Sequence, residues 1–363
     1  MSSMSSAASS QTSQRPRAAA AVPMIGGGQL AVLLCVCRLP PLLLSLSGSG
    51  ETGVWTVFFA ELFRMLFCLP LCLAFRMGWD PAGQRGAVIG VARLTGGIYL
   101  LVSAASLAAG AGVFISSTLY PGSSAFFFGA AILLLAAYGA HMGLEAAARA
   151  ALPVLVLFGV LFLLTAAGVR EEIRLFHLAP ASDFGSILSD AFRRALWLPE
   201  GMVLLAAGPR SGGRKSGAVL WAFGLSAVFG VLASFLCGSV LGELQGQKAY
   251  PFFELEALMQ LSIFQRMDAW FLALWVLVIF VRSLFLLWAA AELLGSLGRQ
   301  PKRRRFLLPC LAAAAILLMA LSLGGDIPGS LLKGVAESVF WLPVLAMLLL
   351  AAAIFSRKGR RPR

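Results

Sequence analysis

Ten apolar stretches, each long enough to cross a bilayer as a helix, follow one another from about residue 27 to residue 355. A hydrocarbon layer takes about twenty apolar residues in helical form, and backbone in lipid must satisfy its own hydrogen bonds. The sequence therefore predicts an all-α integral membrane protein with spans near 27–46, 53–75, 94–117, 124–143, 150–168, 187–207, 216–240, 268–294, 306–324 and 335–355. With 59% hydrophobic and 12% charged residues and a mean hydropathy of +0.87, the chain lacks the polar surface of a soluble fold.

Basic residues between the spans set the expected orientation. Arg15 and Arg17, then Arg76, Arg85 and Arg93, Arg149, Arg210, Arg214 and Lys215, and the runs at 299–305 and 357–363 all fall on one side. The opposite loops hold few, so both termini are expected in the cytoplasm. The formal charge of +13 gathers at span ends, where acidic leaflet lipids lie. Membrane lipid, not nucleic acid, is the expected partner of that charge. The Ser-rich segment 1–23 reads as a disordered cytoplasmic tail, 24–356 as one transmembrane domain, and 357–363 as a basic cytoplasmic tail.

No pattern of enzyme chemistry emerges. His141 and His177 lack a second histidine at metal-ligand spacing. There is no Ser/His/Asp set, no phosphate-cradling glycine loop after a strand and no catalytic carboxylate pair. All six cysteines (Cys35, Cys37, Cys68, Cys72, Cys237 and Cys310) fall in apolar segments and read as small buried hydrophobes. No catalytic residue, cofactor or metal is expected.

The informative polar residues sit inside spans. Arg38-Leu39-Pro40-Pro41 puts two prolines into span one, and Trp197-Leu198-Pro199-Glu200-Gly201 puts one into span six. Each proline removes an amide donor and crowds the preceding turn, so both helices are predicted to break there. Paired breaks of this kind mark binding sites in transporters, because unwound backbone offers free amides and carbonyls. Arg38, Glu61, Arg64, Glu200, Arg282 and Glu292 lie within spans, where a charge costs about 2.5–3.5 kcal/mol or more unless paired or hydrated. Arg282 is expected to pair with Glu200 or Glu61 as a fixed cation, while Glu61 and Arg64, at i and i+3, are equally placed to satisfy each other. The small residues Ala108 to Gly112 suit either ligand contact or close helix packing.

Several motifs carry a family resemblance. Tyr250-Pro251-Phe252, Leu258-Met259-Gln260-Leu261 and Phe264-Gln265-Arg266-Met267-Asp268-Ala269-Trp270-Phe271, running into Trp275 and Arg282, resemble the spore germination permeases. Gln29-Leu30, Tyr138-Gly139, Gly143-Leu144-Glu145 with Ala148-Arg149, and Leu198-Pro199-Glu200-Gly201 agree with the same family. Span one departs from it, since Pro40-Pro41 stands where many relatives carry a glycine-containing break.

The resemblance implies the amino acid, polyamine and organocation transporter superfamily and its leucine-transporter-type fold, a 5+5 inverted repeat of ten helices with helices 1 and 6 broken. It implies the B subunit of a nutrient germinant receptor in the inner spore membrane, partnered by a larger A subunit and a C lipoprotein. The ligand would be a small germinant, usually an amino acid, bound mid-membrane among spans one, three, six and eight. Leu39, Pro40, Pro41, Ala108, Gly110, Trp197, Pro199, Glu200, Arg282, Ser283 and Leu287 are the expected contacts. An amino acid secondary transporter is the alternative.

Overall fold

The computed structural model describes residues 25–44, 53–76, 87–175, 183–212, 215–242, 244–248, 250–258 and 268–297. The two tails and the expected spans nine and ten lie outside the described residues. The elements are α1 (Gly27–Leu44), α2 (Val54–Arg76), α3 (Ala87–Thr118), α4 (Ala125–Met142), α5 (Leu144–Gly168), α6 (Phe184–Ala195), α7 (Pro199–Ala207), α8 (Lys215–Leu241), α9 (Leu244–Gln247), α10 (Pro251–Leu258) and α11 (Asp268–Gly295). Six of the described helices are long and apolar enough to cross a membrane, namely Val54–Arg76, Ile89–Thr118, Ala125–Met142, Leu144–Gly168, Ser216–Leu241 and Ala269–Gly295. This is a multi-pass membrane protein.

Side-chain burial follows the membrane rather than water. Leu134 on α4 and Leu163 on α5 are 73% and 70% exposed, whereas Arg38, Glu61, Glu200 and Arg282 are at most 2% exposed. Lipid takes the outward leucines, and the charges turn inward because hydrocarbon cannot solvate them. At the centre, α1 packs on α5, α8 and α11, while α3 lies along α4 and α11.

Two glycines are needed where they stand. Gly143 joins α4 to α5 at φ 101°, a conformation costly for a residue with a Cβ, and just past it Glu145 and Arg149 pair at 2.5 Å, four residues apart on the first turns of α5. Gly112 lets α3 and α4 touch backbone to backbone, since a Cβ there would overlap the Ala125 carbonyl. Nothing lies near a Cβ built on Gly110, so the two positions of the small-residue run differ in role. Gly112→Ala is expected to cost about 1–3 kcal/mol by overpacking and Gly110→Ala little, as read from thermal melts of the two purified variants.

Span six is broken. Pro199 cannot donate to the Ala195 carbonyl and disfavours helical geometry at Leu198, whose φ and ψ are −130° and 59°. The helix stops at Ala195 and restarts at Pro199, with Leu196-Trp197-Leu198 between. Span one differs from expectation, because α1 runs without interruption through Pro40 and Pro41 to Leu44. A physical reason lies in how one of the donors removed by the prolines is replaced.

Candidate functional site

Pro40 and Pro41 carry no amide hydrogen, so the carbonyls of Val36 and Cys37, one turn earlier, have no helical donor. Arg282 Nη1, from α11, donates to the Cys37 carbonyl. A side chain from another helix thus replaces one of the two missing amides, and α1 stays helical where its own sequence calls for a break. The same Nη1 lies 3.4 Å from Glu200 Oε1. Of the two partners expected for Arg282, Glu200 and Glu61, the observed one is Glu200, and the guanidinium ties span eight to spans one and six.

Around this link lies a buried group of five charges. Arg38 donates through Nη2 to Glu61 Oε1, and its Nη1 is 3.4 Å from Glu200 Oε1. Arg64 Nη1 donates to the same Glu61 oxygen at 2.5 Å, and its Nη2 donates to the Arg194 carbonyl at 2.6 Å. Arg38 also stands over the Phe223 ring, 5.8 Å from its centre, in a cation–π arrangement. Three guanidiniums face two carboxylates.

The charges match the helix ends left by the break. Arg64 holds a carbonyl near the C-terminus of α6, the negative end of its dipole, and Glu200 stands in the first turn of α7, the positive end. Pro199 takes the first helical position, where its missing amide is not needed. The Leu198 amide, left over by the break, donates to the Tyr99 hydroxyl on α3 at 3.2 Å, and the Tyr99 and Trp197 rings lie 6.3 Å apart.

The group is not fully satisfied internally. Arg38 Nε, Arg64 Nε, Arg282 Nε, Glu61 Oε2, Glu200 Oε2 and the hydroxyls of Ser103 and Ser283 are buried without a hydrogen bond inside the protein. Each such atom costs about 1–3 kcal/mol unless a polar partner engages it, so the cluster is suited to take up a small polar molecule bearing both donors and acceptors.

The expected contacts fall into two groups. Glu200 and Arg282 meet directly, Pro199 and Trp197 form the break beside them, Pro41 frees the Cys37 carbonyl that Arg282 holds, and Pro40 precedes Pro41 in α1. Leu39 is buried one residue beyond Arg38. Ala108 and Gly110 lie further along α3 than Tyr99 and take no part in the ion pairs, and Leu287 lies more than a turn beyond Arg282. Ser283 is fully buried next to Arg282. Tyr99, Ser103 and Phe223 were not among the expected contacts. Tyr99 carried a signal, a phenol within an apolar span, but its partner is an amide that only the break exposes.

The ends of spans one and six are joined at one face of the bundle. The Gly212 amide donates to the Ile25 carbonyl at 2.9 Å, and Arg210, just past α7, donates to Glu292 on α11 at 2.6 Å. A groove of about 660 Å³ lies nearby between α1, α5 and α8, lined by Gly28, Ala31, Val32, Leu155, Trp221 and neighbouring apolar residues. It shares none of the expected contacts and holds no charged residue, so lipid suits it better than a polar ligand. The five described cysteines are free and buried, and among the described residues no group of three or more His, Cys, Asp or Glu could hold a metal ion.

Comparison with known proteins gives two positive results. The family model described as spore germination protein matches residues 88–323. Among solved structures, MhsT in complex with L-phenylalanine matches at a TM-score of 0.65 and 16% identity, over 89% of this chain and 87% of that one. At that identity the likeness is one of fold alone, of the leucine-transporter type. No curated protein matches the sequence.

Proposed function

Because this chain belongs to the spore germination protein family, we propose that it is the membrane subunit of a germinant receptor and binds a small nutrient, an amino acid above all, at the break in span six. The observation that carries this reading is the buried five-charge cluster, with one more guanidinium than carboxylate and several unengaged donors and acceptors beside an interrupted helix. A zwitterion fits such a site. Its carboxylate would answer the excess guanidinium and the amide-bearing start of α7, and its ammonium would answer Glu200 or free carbonyls. Leu39, Pro40, Pro41, Ala108, Gly110, Trp197, Pro199, Glu200, Arg282, Ser283 and Leu287 remain the proposed contacts, and Tyr99 and Ser103 join them.

On the same reading the chain completes a ten-helix 5+5 inverted repeat through spans nine and ten and keeps both termini in the cytoplasm. It works in the inner spore membrane with a larger A subunit and a C lipoprotein. A ligand would favour one of two conformations only by binding it more tightly. The fold shared with MhsT supports the second reading, an amino acid secondary transporter.

Purified protein in sealed vesicles separates the two. A receptor subunit binds labelled amino acid without accumulating it, and deleting its gene abolishes germination to one nutrient while vegetative uptake is unchanged. Accumulation against a gradient would overturn the receptor reading in favour of the transporter.

A further inference from the structure

Glu256 lies on α10, outside the spans, and its exposure is 0%. Its Oε1 is 2.5 Å from the Thr165 hydroxyl at the end of α5, and that hydroxyl is also 2.9 Å from the Leu161 carbonyl one turn back. A threonine hydroxyl has a single hydrogen. Were Glu256 a carboxylate, both neighbours of that hydroxyl would be acceptors, and one contact would set oxygen against oxygen with no proton between. If Glu256 carries a proton, each hydrogen has a place, the carboxyl donating to Thr165 and Thr165 donating to Leu161.

The surroundings agree. Glu256 Oε2 is buried and takes no hydrogen bond, which is far less costly for a neutral acid than for a carboxylate. Among the described residues no cation pairs with Glu256. From α5 it meets Thr165, and from α8 the thiol of Cys237 lies within reach of its charge. On α10 itself Glu254 pairs instead with Lys248 at 3.2 Å, both partly exposed. The rest of the seat is aromatic. Phe252 stacks on Phe162 with ring centres 6.0 Å apart and meets Phe271 of α11 at 5.2 Å; Phe253 meets Phe114 of α3 at 5.4 Å.

We propose that Glu256 is a proton-binding site that latches α10 across the ends of α5 and α8, holding the helix down when protonated and loosening it when the proton leaves to water. Burial pushes the carboxyl from its ordinary 4.5 to about 7, against a smaller opposing pull from the Thr165 bond. The sign follows from that upward displacement. The unfolded or released segment loses its proton near 4.5, the latched one near 7, so the stability the proton carries is whole at low pH and is lost as pH rises through about 7. The latch rests on α10 and its neighbours, whatever ligand the central charges hold.

Hydrogen–deuterium exchange of the purified full chain, corrected for the intrinsic pH dependence of exchange, tests it on peptides covering 250–258. Between pH 6 and pH 8 protection of these peptides is expected to fall about tenfold in the wild type and to level off above the latched titration point, each pH unit between the two titration points being a factor of ten. In Glu256→Gln, which mimics the neutral acid, it should stay constant. Infrared spectra of the wild type over the same range should lose a protonated-carboxyl band, a measurement that needs no variant to fold. Flat wild-type protection, an unchanged pH response in Glu256→Gln, or no loss of the band would each overturn the proposal.

Discussion

Glu61→Gln is expected to cost about 3–5 kcal/mol of stability, the usual consequence of removing one partner from a buried ion pair. Glu61 receives two guanidiniums on one oxygen, Arg38 and Arg64, and the side chains of the three are 7% exposed or less. An amide in its place leaves three buried guanidiniums facing Glu200 alone. Arg64 keeps one good bond, to the Arg194 carbonyl at 2.6 Å, but Arg38 retains only Glu200 at 3.4 Å and the face of Phe223. Thermal and denaturant unfolding of purified protein measures the loss. Glu61→Gln combined with Arg64→Met removes one charge of each sign, and it should recover much of the stability, since contacting residues of one network are not additive. A single variant that melts with the wild type would mean that the carboxylate does not hold the cluster together.

The sequence disclosed the class of fold through a property that needs no tertiary information, the length of its apolar runs. The break in span six was also legible, because Pro199 removes a donor and disfavours helical geometry at the residue before it. The same logic failed at Pro40 and Pro41, where the replacement donor is Arg282, distant in sequence and near only once α1 and α11 are packed. A proline marks a carbonyl that will need a partner, and whether the helix opens depends on what the fold brings to it.

Charge pairing showed the same division. Glu61 with Arg64, three residues apart, was a local expectation and is observed at 2.5 Å. That Arg282 would pair with Glu200 or Glu61 was legible because a mid-span guanidinium must find an acid and few were on offer, and the packing selects Glu200. The share that Arg38 takes of both acids was not legible, since it depends on the rotation of α1 about its axis. Likewise, Glu256 stood in a loop by hydropathy, where a solvated acid is the ordinary reading. Only the seat formed by Thr165 and the aromatic rings makes it a buried one.

Arg282→Met is expected to fold, to lose stability by about 1–3 kcal/mol for the unsatisfied carbonyl it leaves, and, on the proposed function, to bind amino acids at least about tenfold more weakly, which is about 1.4 kcal/mol. The guanidinium fills two needs at once, donating to the Cys37 carbonyl that Pro41 strands and standing 3.4 Å from Glu200. Arg282→Lys keeps the charge but not the planar fork, so it should recover part of the stability and less of the binding. The two needs separate in the combination of Arg282→Met with Pro41→Ala. The alanine restores an amide for the Cys37 carbonyl, so helix α1 should regain its bond and the protein much of its melting temperature, while the charge beside Glu200 stays absent and binding stays weak. Calorimetry across a panel of amino acids, together with melts of the same samples, reads both quantities. Unchanged folding and unchanged ligand response in Arg282→Met would remove the guanidinium from the site, and recovery of binding by Pro41→Ala would make its role purely that of a helix prop.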